Sequence, residues 1–157
     1  MIIITMSFSS KIPHQAILDE FYSEFLSLNL IHAMKSANVL YHLTKENSFS
    51  KELLETELNR IENNVHYANT DIDKMVEHAS NGNKLRISGY LKNIDEHLAT
   101  VYLDIKAIRK DLSRRENISN SLSDIYYQLK KTEYQDHKEI KIILKFKTYN
   151  EPVIVKQ

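Results

Sequence analysis

The stretch NLIHAMKSANVL contains a histidine, a lysine and a serine at a spacing that could support phosphoryl transfer. The imidazole of His32 can act as a nucleophile, and the ammonium group of Lys35 lies about one helical turn away, with Ser36 as a small neighbour. A histidine can also be a metal ligand, or it can pack inside a helical bundle beside a polar partner. The choice depends on whether the surrounding helix exposes His32.

This spacing resembles that of histidine phosphotransfer domains, helical bundles in which a phosphorylated histidine is followed by a lysine three positions later. The resemblance rests on His32, Lys35 and Ser36, and it implies that His32 carries the phosphoryl group. A phosphoryl carrier must be exposed in order to reach the aspartate of a partner. At about 100° per residue, however, His32 falls on an apolar face of its helix. We therefore expect a buried histidine that a neighbouring polar group or carbonyl satisfies.

Two apolar strips on this first helix compete for the core. The strip that includes the position of His32 consists of Phe21, Phe25, Leu28 and Val39. The other strip consists of Leu30, Ile31, Met34, Ala37 and Tyr41. We expect the first strip to face the core. The second strip leaves open that the helix is buried broadly or makes a dimer contact.

A second pair of residues with chemical potential lies in RIENNVHYANTDID, where Arg60 precedes His66. The pair is similar to the Arg-x(4–6)-His motif of HEPN domains, helical-bundle ribonucleases that are often found in toxin–antitoxin and defence systems. The resemblance implies that Arg60 and His66, contributed by two protomers, act on an RNA phosphodiester. Both positions flank an apolar seam, so the alternative is an arginine and a histidine on a solvated helix face.

Five basic residues cluster near the end of the third predicted helix: Lys106, Arg109, Lys110, Arg114 and Arg115. Such a cluster could bind the phosphate backbone of a nucleic acid. The chain is neutral overall, with 21 basic and 21 acidic residues, and no aromatic residue interrupts the cluster. We therefore favour a simpler role, in which the cluster stabilises the helix C-terminus and pairs locally with Asp104 and Asp111.

The residue pattern supports few other chemistries. The chain has no cysteine and only two glycines, which excludes thiolate chemistry, disulfides and glycine-rich phosphate loops. Glutamate and histidine occur together at 77–78 and 96–97, but adjacent residues point about 100° apart on a helix, unlike the ligands of a di-iron bundle. We expect neither a metal nor a cofactor.

The spacing of apolar residues predicts helices over most of the chain, because it alternates between four and three as in a heptad repeat. The second helix has this seam at Leu54, Leu58, Ile61, Val65, Ala68, Ile72, Met75 and Ala79. The third helix has it at Ile87, Leu91, Ile94, Leu98, Val101, Ile105, Ile108 and Leu112, and a fourth at Ile118, Leu122, Ile125 and Leu129. We predict helices at about 13–44, 50–80, 84–115 and 120–132.

Helix-end signals refine these bounds. Pro13 suits the first turn of the first helix, and Ser50 can cap the second. Asn81-Gly82 predicts a left-handed cap and a reversal, so the second and third helices should pair as an antiparallel hairpin. From about 139 to 155 the apolar period becomes two, which predicts a small β-hairpin or strand that pairs with the N-terminal isoleucines, packs on the bundle or joins another copy.

The sequence therefore predicts one mostly α domain over residues 1–157, an antiparallel four-helix bundle with coiled-coil-like packing and a small C-terminal β element. No apolar run has the length of a signal-peptide core or a membrane span, so we expect a soluble, cytoplasmic protein. The most plausible role is non-enzymatic, as a self-associating interaction or regulatory protein. The ribonuclease and the phosphotransfer protein are the alternatives.

Overall fold

The computed structural model describes residues 3–46, 49–78 and 81–140, and the side chains of 21–46, 49–77, 85–136 and 138–140. Helices α1 (Ile3–Leu43), α2 (Lys51–His78), α3 (Asn81–Lys110) and α4 (Arg115–Gln135) pack against each other. A single π-helical turn, Asp136–Ile140, follows α4. The described ranges contain no strand. The prediction of a mostly α protein with four packed helices is thereby confirmed.

The predicted apolar seams of α2, α3 and α4 form the core. Each seam residue from Leu54 to Met75 in α2, from Ile87 to Ile108 in α3 and from Ile118 to Leu129 in α4 is buried. Leu112, predicted as the last seam residue of α3, lies beyond the helix and is only partly buried. Ala79 lies outside the described residues. The burial of these side chains is the main stabilising contribution, at roughly 1.5–3 kcal/mol for each large one.

Helices α2 and α3 run antiparallel, as predicted, because Asn69 contacts Tyr102 and Glu62, earlier in α2, contacts Arg109, later in α3. Their packing is nevertheless looser than that of the other neighbouring helices.

Helix α1 packs against α2 and α4, and α3 packs against α4, whereas α2 and α3 approach each other less closely. Neighbours are antiparallel: Ser23 donates a hydrogen bond to Asp136, and Ser27, further along α1, donates one to Glu133, which comes earlier in α4. Long side chains bridge the wider gap between α2 and α3.

Helix α1 buries the opposite face from the one predicted. Its fully buried residues are Leu26, Leu30, Ala33, Ala37 and Leu40. The strip expected in the core is 40–51% exposed, namely Phe21, Phe25, Leu28 and Val39. Two alanines in the buried face let the backbones of neighbouring helices approach closely, which larger side chains would prevent. The second strip of the sequence analysis therefore contains part of the true core face, with Met34 and Tyr41 packed at its edge.

Several predicted boundaries are wrong by up to ten residues. Helix α1 begins at Ile3, so Pro13 lies inside it. Gly82 belongs to α3, which begins at Asn81, and no described glycine has a positive φ. Helix α3 ends at Lys110 and α4 already begins at Arg115, so the run ENISNS is helical. The Ser50 cap is confirmed: its hydroxyl oxygen accepts a hydrogen bond from the Leu53 amide at 3.1 Å.

The predicted C-terminal β element falls almost entirely on residues 141–157, which lie outside the described residues. Its first two positions, 139 and 140, belong to the π-helical turn. At the other end of the chain, Ile3 and Ile4 are part of α1. Within the ranges given above, no helix combines the length and the apolar character that crossing a membrane requires.

Candidate functional site

His32 lies on the exposed side of α1, which corrects the expectation of a buried histidine. Lys35 is exposed as well, and Ser36 is half-buried. The expectation was wrong because it placed Phe25 and Leu28, which share the face of His32, in the core. The accessibility that a phosphoryl carrier requires is therefore present at this histidine.

Arg60 and His66 both lie on the surface of α2 but do not meet within one chain. The Nε atom of Arg60 lies 3.1 Å from an oxygen of Glu57, in an ion pair within the helix. The exposed ring of His66 lies beside that of Tyr67, with 6.1 Å between centroids. Residues six apart project about 120° from each other, so the pair occupies opposite flanks of the seam. A joint site would need a second copy, as the family resemblance implies.

Arg109 of the basic cluster fastens α3 to α2. One guanidinium nitrogen donates hydrogen bonds of 3.0 Å to both carboxylate oxygens of Glu62, and the other donates to the Asn59 side chain. Its Nε lies 3.7 Å from Glu55. These three partners lie on the face of α2 that is directed towards α3. Arg109 is thus engaged in packing and not presented to a nucleic acid.

Arg114 and Arg115 are also engaged inside the chain. Arg114 lies 3.7 Å from Asp111, the local partner that the sequence suggested. Arg115 donates a hydrogen bond of 2.9 Å to the carbonyl oxygen of Glu46, and its guanidinium covers the ring of Phe49 at 5.4 Å. The contacts of Arg115 join the start of α4 to the segment between α1 and α2.

The apolar face of α1 that the sequence predicts in the core is exposed in the structure. We name it the α1 stripe: Phe21, Phe25, Leu28, His32 and Val39. Its members follow the spacing of a heptad seam, and the rings of Phe21 and Phe25 pack edge to face with 4.4 Å between centroids. All of them lie on the side of α1 that faces away from the core. Contiguous apolar surface of this kind is typical of interaction sites.

A polar contact joins α3 to α4. The carboxyl groups of Asp104 and Asp124 lie within hydrogen-bonding reach of each other, and Asp104 is therefore not the local partner of the basic cluster. Burial, the hydrogen bond to Asp124 and its negative charge raise the pKa of Asp104 to about 8. The Gln128 amide donates to Asp124 and accepts a 2.7 Å hydrogen bond from Nδ1 of His97. The raised pKa keeps the Asp104 carboxyl protonated at neutral pH, so that it can donate a hydrogen bond to Asp124.

Asp136, the first residue of the π-helical turn, anchors that turn to α1. It is fully buried, and Ser23 donates a 2.6 Å hydrogen bond to its Oδ1, while its Oδ2 has no partner among the described residues. Burial raises the pKa of Asp136 to about 7, the hydrogen bond from Ser23 opposes that rise, and the charges of Glu133 and Asp71 add to it. No sequence pattern predicts this contact, because it joins residues that lie far apart in the chain.

Removal of the Ser23 hydroxyl is expected to destabilise the protein more at pH 8 than at pH 5. Because the folded-state pKa of Asp136 is raised to about 7, stability falls as pH rises through that value, and the Ser23 hydrogen bond limits the fall. Ser23→Ala should lower the free energy of unfolding by about 1–2 kcal/mol at pH 8 and by less than about 1 kcal/mol at pH 5.

Urea denaturation of both proteins at the two pH values measures this difference. Ser88→Ala is the matched control, because the exposed Ser88 hydroxyl bonds only to a carbonyl of its own helix. The control should change stability by less than about 0.5 kcal/mol at either pH. Equal losses for Ser23→Ala at pH 5 and pH 8 would contradict the assignment.

A cavity of about 520 Å³ opens along the solvent side of α4, and we name it the α4 cavity. Three tyrosines, Tyr126, Tyr127 and Tyr134, line it together with Lys130 and Lys131. The three tyrosines also lie close together in the sequence, and tyrosine is enriched at binding surfaces. Their assembly into a cavity with a histidine from α3 depends on the packing of the two helices.

No cluster of three or more histidine, cysteine or acidic side chains in the described part of the chain has a geometry that could hold a metal ion. The α1 stripe, the paired aspartates and the α4 cavity are therefore the features that bear on function. Comparisons of the chain with known protein families, with characterised proteins and with solved structures give no match.

Proposed function

We propose that the protein is a non-enzymatic interaction module that self-associates through the α1 stripe. The observation that carries this proposal is the 40–51% exposure of four large apolar side chains on one face of α1. The opposite face of the same helix is fully buried, so both faces are apolar and only one has a partner inside the chain. An apolar helix face with heptad spacing suits a partner helix that supplies a matching seam.

A second copy of α1 suits this surface because two of its apolar residues are equally distant from His32. Phe25 lies seven residues before His32 and Val39 lies seven residues after it. In an antiparallel pair of α1 helices, Phe25 of each copy would therefore face Val39 of the other.

Introduction of a charge into the stripe is expected to weaken self-association. Phe25→Glu places a carboxylate at a contact that occurs twice in a two-fold symmetric dimer, so the dimer dissociation constant should rise at least about tenfold. Sedimentation equilibrium over a wide concentration range measures this constant. Circular dichroism of the variant should show unchanged helix content, because the side chain of Phe25 lies outside the buried core.

Leu103→Glu is the matched control for that experiment. Leu103 is an exposed leucine on α3, outside the α1 stripe, and its substitution introduces the same charge. The control should associate like the unaltered protein. A wild-type chain that stays monomeric at all concentrations, or a control that weakens association as much as Phe25→Glu, would rule the proposal out.

The phosphotransfer function is retained as the second candidate because His32 is exposed, with Lys35 exposed one turn further on. Labelling of the protein from acetyl phosphate, together with loss of the label in His32→Gln, would establish it. An unlabelled chain under conditions that label a known phosphotransfer domain would remove it. The ribonuclease alternative has no comparable support, since Arg60 is paired with Glu57 and lies apart from His66.

A further inference from the structure

We propose that the α4 cavity binds an aromatic anion, meaning a planar ring that carries a phosphate or carboxylate group. The volume of about 520 Å³ lies within the usual range of small-molecule sites. The proposal concerns a different face of the molecule from the α1 stripe. It rests on the ring surfaces, the balance of charge and the fixed orientation of one histidine.

Three of the eight side chains that line the cavity are tyrosines. Tyr126 packs against the hydrophobic core and is only partly exposed, so its ring is held in place. Tyr127 and Tyr134 are 57% and 58% exposed, and they present ring surface and hydroxyl groups at the opening. Flat aromatic ligands stack on such surfaces, while the phenol hydroxyls remain available for hydrogen bonds. The wall is therefore suited to a ring and less suited to a flexible aliphatic chain.

The charged side chains of the cavity favour an anion. Lys130 and Lys131 line it against a single carboxylate, that of Glu139. The ammonium of Lys131 lies 4.4 Å from the centroid of the Tyr127 ring, which places a cation directly beside an aromatic surface. A ligand with a ring and an attached anionic group can contact both at once. Inorganic anions lack the ring contact, and neutral rings lack the ion pair.

His97 adds a directed polar group from α3. Its Nδ1 donates to the Gln128 side-chain oxygen at 2.7 Å, because the amide nitrogen of Gln128 is already directed to Asp124. This hydrogen bond fixes the ring orientation and leaves Nε2 as the nitrogen available to a ligand in the cavity that His97 lines. Nε2 can accept a proton from a phosphate monoester or, when protonated, donate to its oxygen.

The far end of the cavity is held by the π-helical turn. Glu139 and the neighbouring Gln135 line the cavity on either side of the start of this turn. The buried hydrogen bond between Ser23 and Asp136 and the buried side chain of Ile140 hold the turn against the bundle. Single π-helical turns occur frequently at functional sites. The cavity is thus formed by fixed elements at both ends.

Phenyl phosphate is the probe that tests this inference. In a ¹H–¹⁵N NMR titration it should shift the amide signals of His97 and of residues 126–139, with a dissociation constant of roughly 0.1–1 mM. Inorganic phosphate and phenol, which each supply one half of the ligand, should bind at least about tenfold more weakly. Phosphate binding as tightly as phenyl phosphate, or shifts confined to other parts of the chain, would overturn the assignment.

Two variants locate the site. Lys130→Glu should weaken phenyl phosphate binding at least about tenfold, whereas Lys106→Glu, the same change at an exposed position outside the cavity, should leave it unchanged. Equal weakening by both variants would show attraction to overall charge only and would overturn the proposal. The Phe25→Glu chain should bind phenyl phosphate normally, and loss of binding there would place the ligand at the α1 stripe instead.

Discussion

Leu30→Ala is expected to lower the free energy of unfolding by about 2–5 kcal/mol, whereas Leu28→Ala should lower it by less than about 1 kcal/mol. The two leucines lie two positions apart on α1, but Leu30 is 0% exposed and Leu28 is 48% exposed. Truncation of Leu30 removes apolar surface from the core and leaves a cavity against α2 and α4. Truncation of Leu28 removes side-chain surface that water already reaches.

Urea denaturation of the two variants and the unaltered protein, at a concentration where self-association is absent, measures this contrast. Leu26→Ala and Val39→Ala extend the comparison, because Leu26 is another residue of the buried face and Val39 another residue of the exposed face. The buried pair should be destabilised far more than the exposed pair. A larger loss for Leu28→Ala than for Leu30→Ala would mean that α1 faces the core as the sequence first suggested.

The contrast between α1 and the other helices shows which part of the fold is predictable from sequence. In α2, α3 and α4, polar residues surround one apolar seam, so the spacing alone identifies the buried side chains from Leu54 to Leu129. Helix α1 has apolar residues on both faces, and the two aromatic rings favoured the wrong one. The correct face is distinguished by Ala33 and Ala37, whose small size matters only when the neighbouring helices are present.

The geometry of the candidate sites is even less predictable from sequence than the fold, because it depends on how the helices pack. The sequence identified His32, Arg60 and His66 as reactive residue types, but their exposure and separation follow from the helix faces. Asp104 and Asp124 lie on different helices, and only the register between α3 and α4 brings the two carboxyls into contact. Boundary errors arose for a related reason, since the polar run ENISNS remains helical where Ile118 is buried against the bundle.

Asp104→Asn is expected to raise the free energy of unfolding by about 2–3 kcal/mol at pH 8 and by about a third of that at pH 5. The folded-state pKa of Asp104 is raised to about 8, so the folded protein holds a proton that the unfolded chain releases above pH 4. The contribution of Asp104 to the free energy of folding is fully present below about pH 4 and is lost as the pH rises through 8. Asparagine is neutral at every pH and can donate to Asp124, so the variant avoids that loss.

Thermal or urea denaturation from pH 5 to pH 9 should therefore show a falling stability for the unaltered protein and a flatter profile for Asp104→Asn. Asp124→Asn should produce a smaller gain, because it removes the neighbouring charge and leaves the burial of Asp104, the largest cause of its raised pKa, in place. The double variant should gain less than the sum of the two single variants, because both changes relieve the same contact between carboxyl groups. Glu96→Gln, at an exposed position of α3, is the matched control and should stay within about 0.5 kcal/mol. Asp124 also contacts Gln128, which accepts a hydrogen bond from His97. A gain as large at pH 5 as at pH 8 would therefore indicate altered packing between α3 and α4 and not relief of a buried charge.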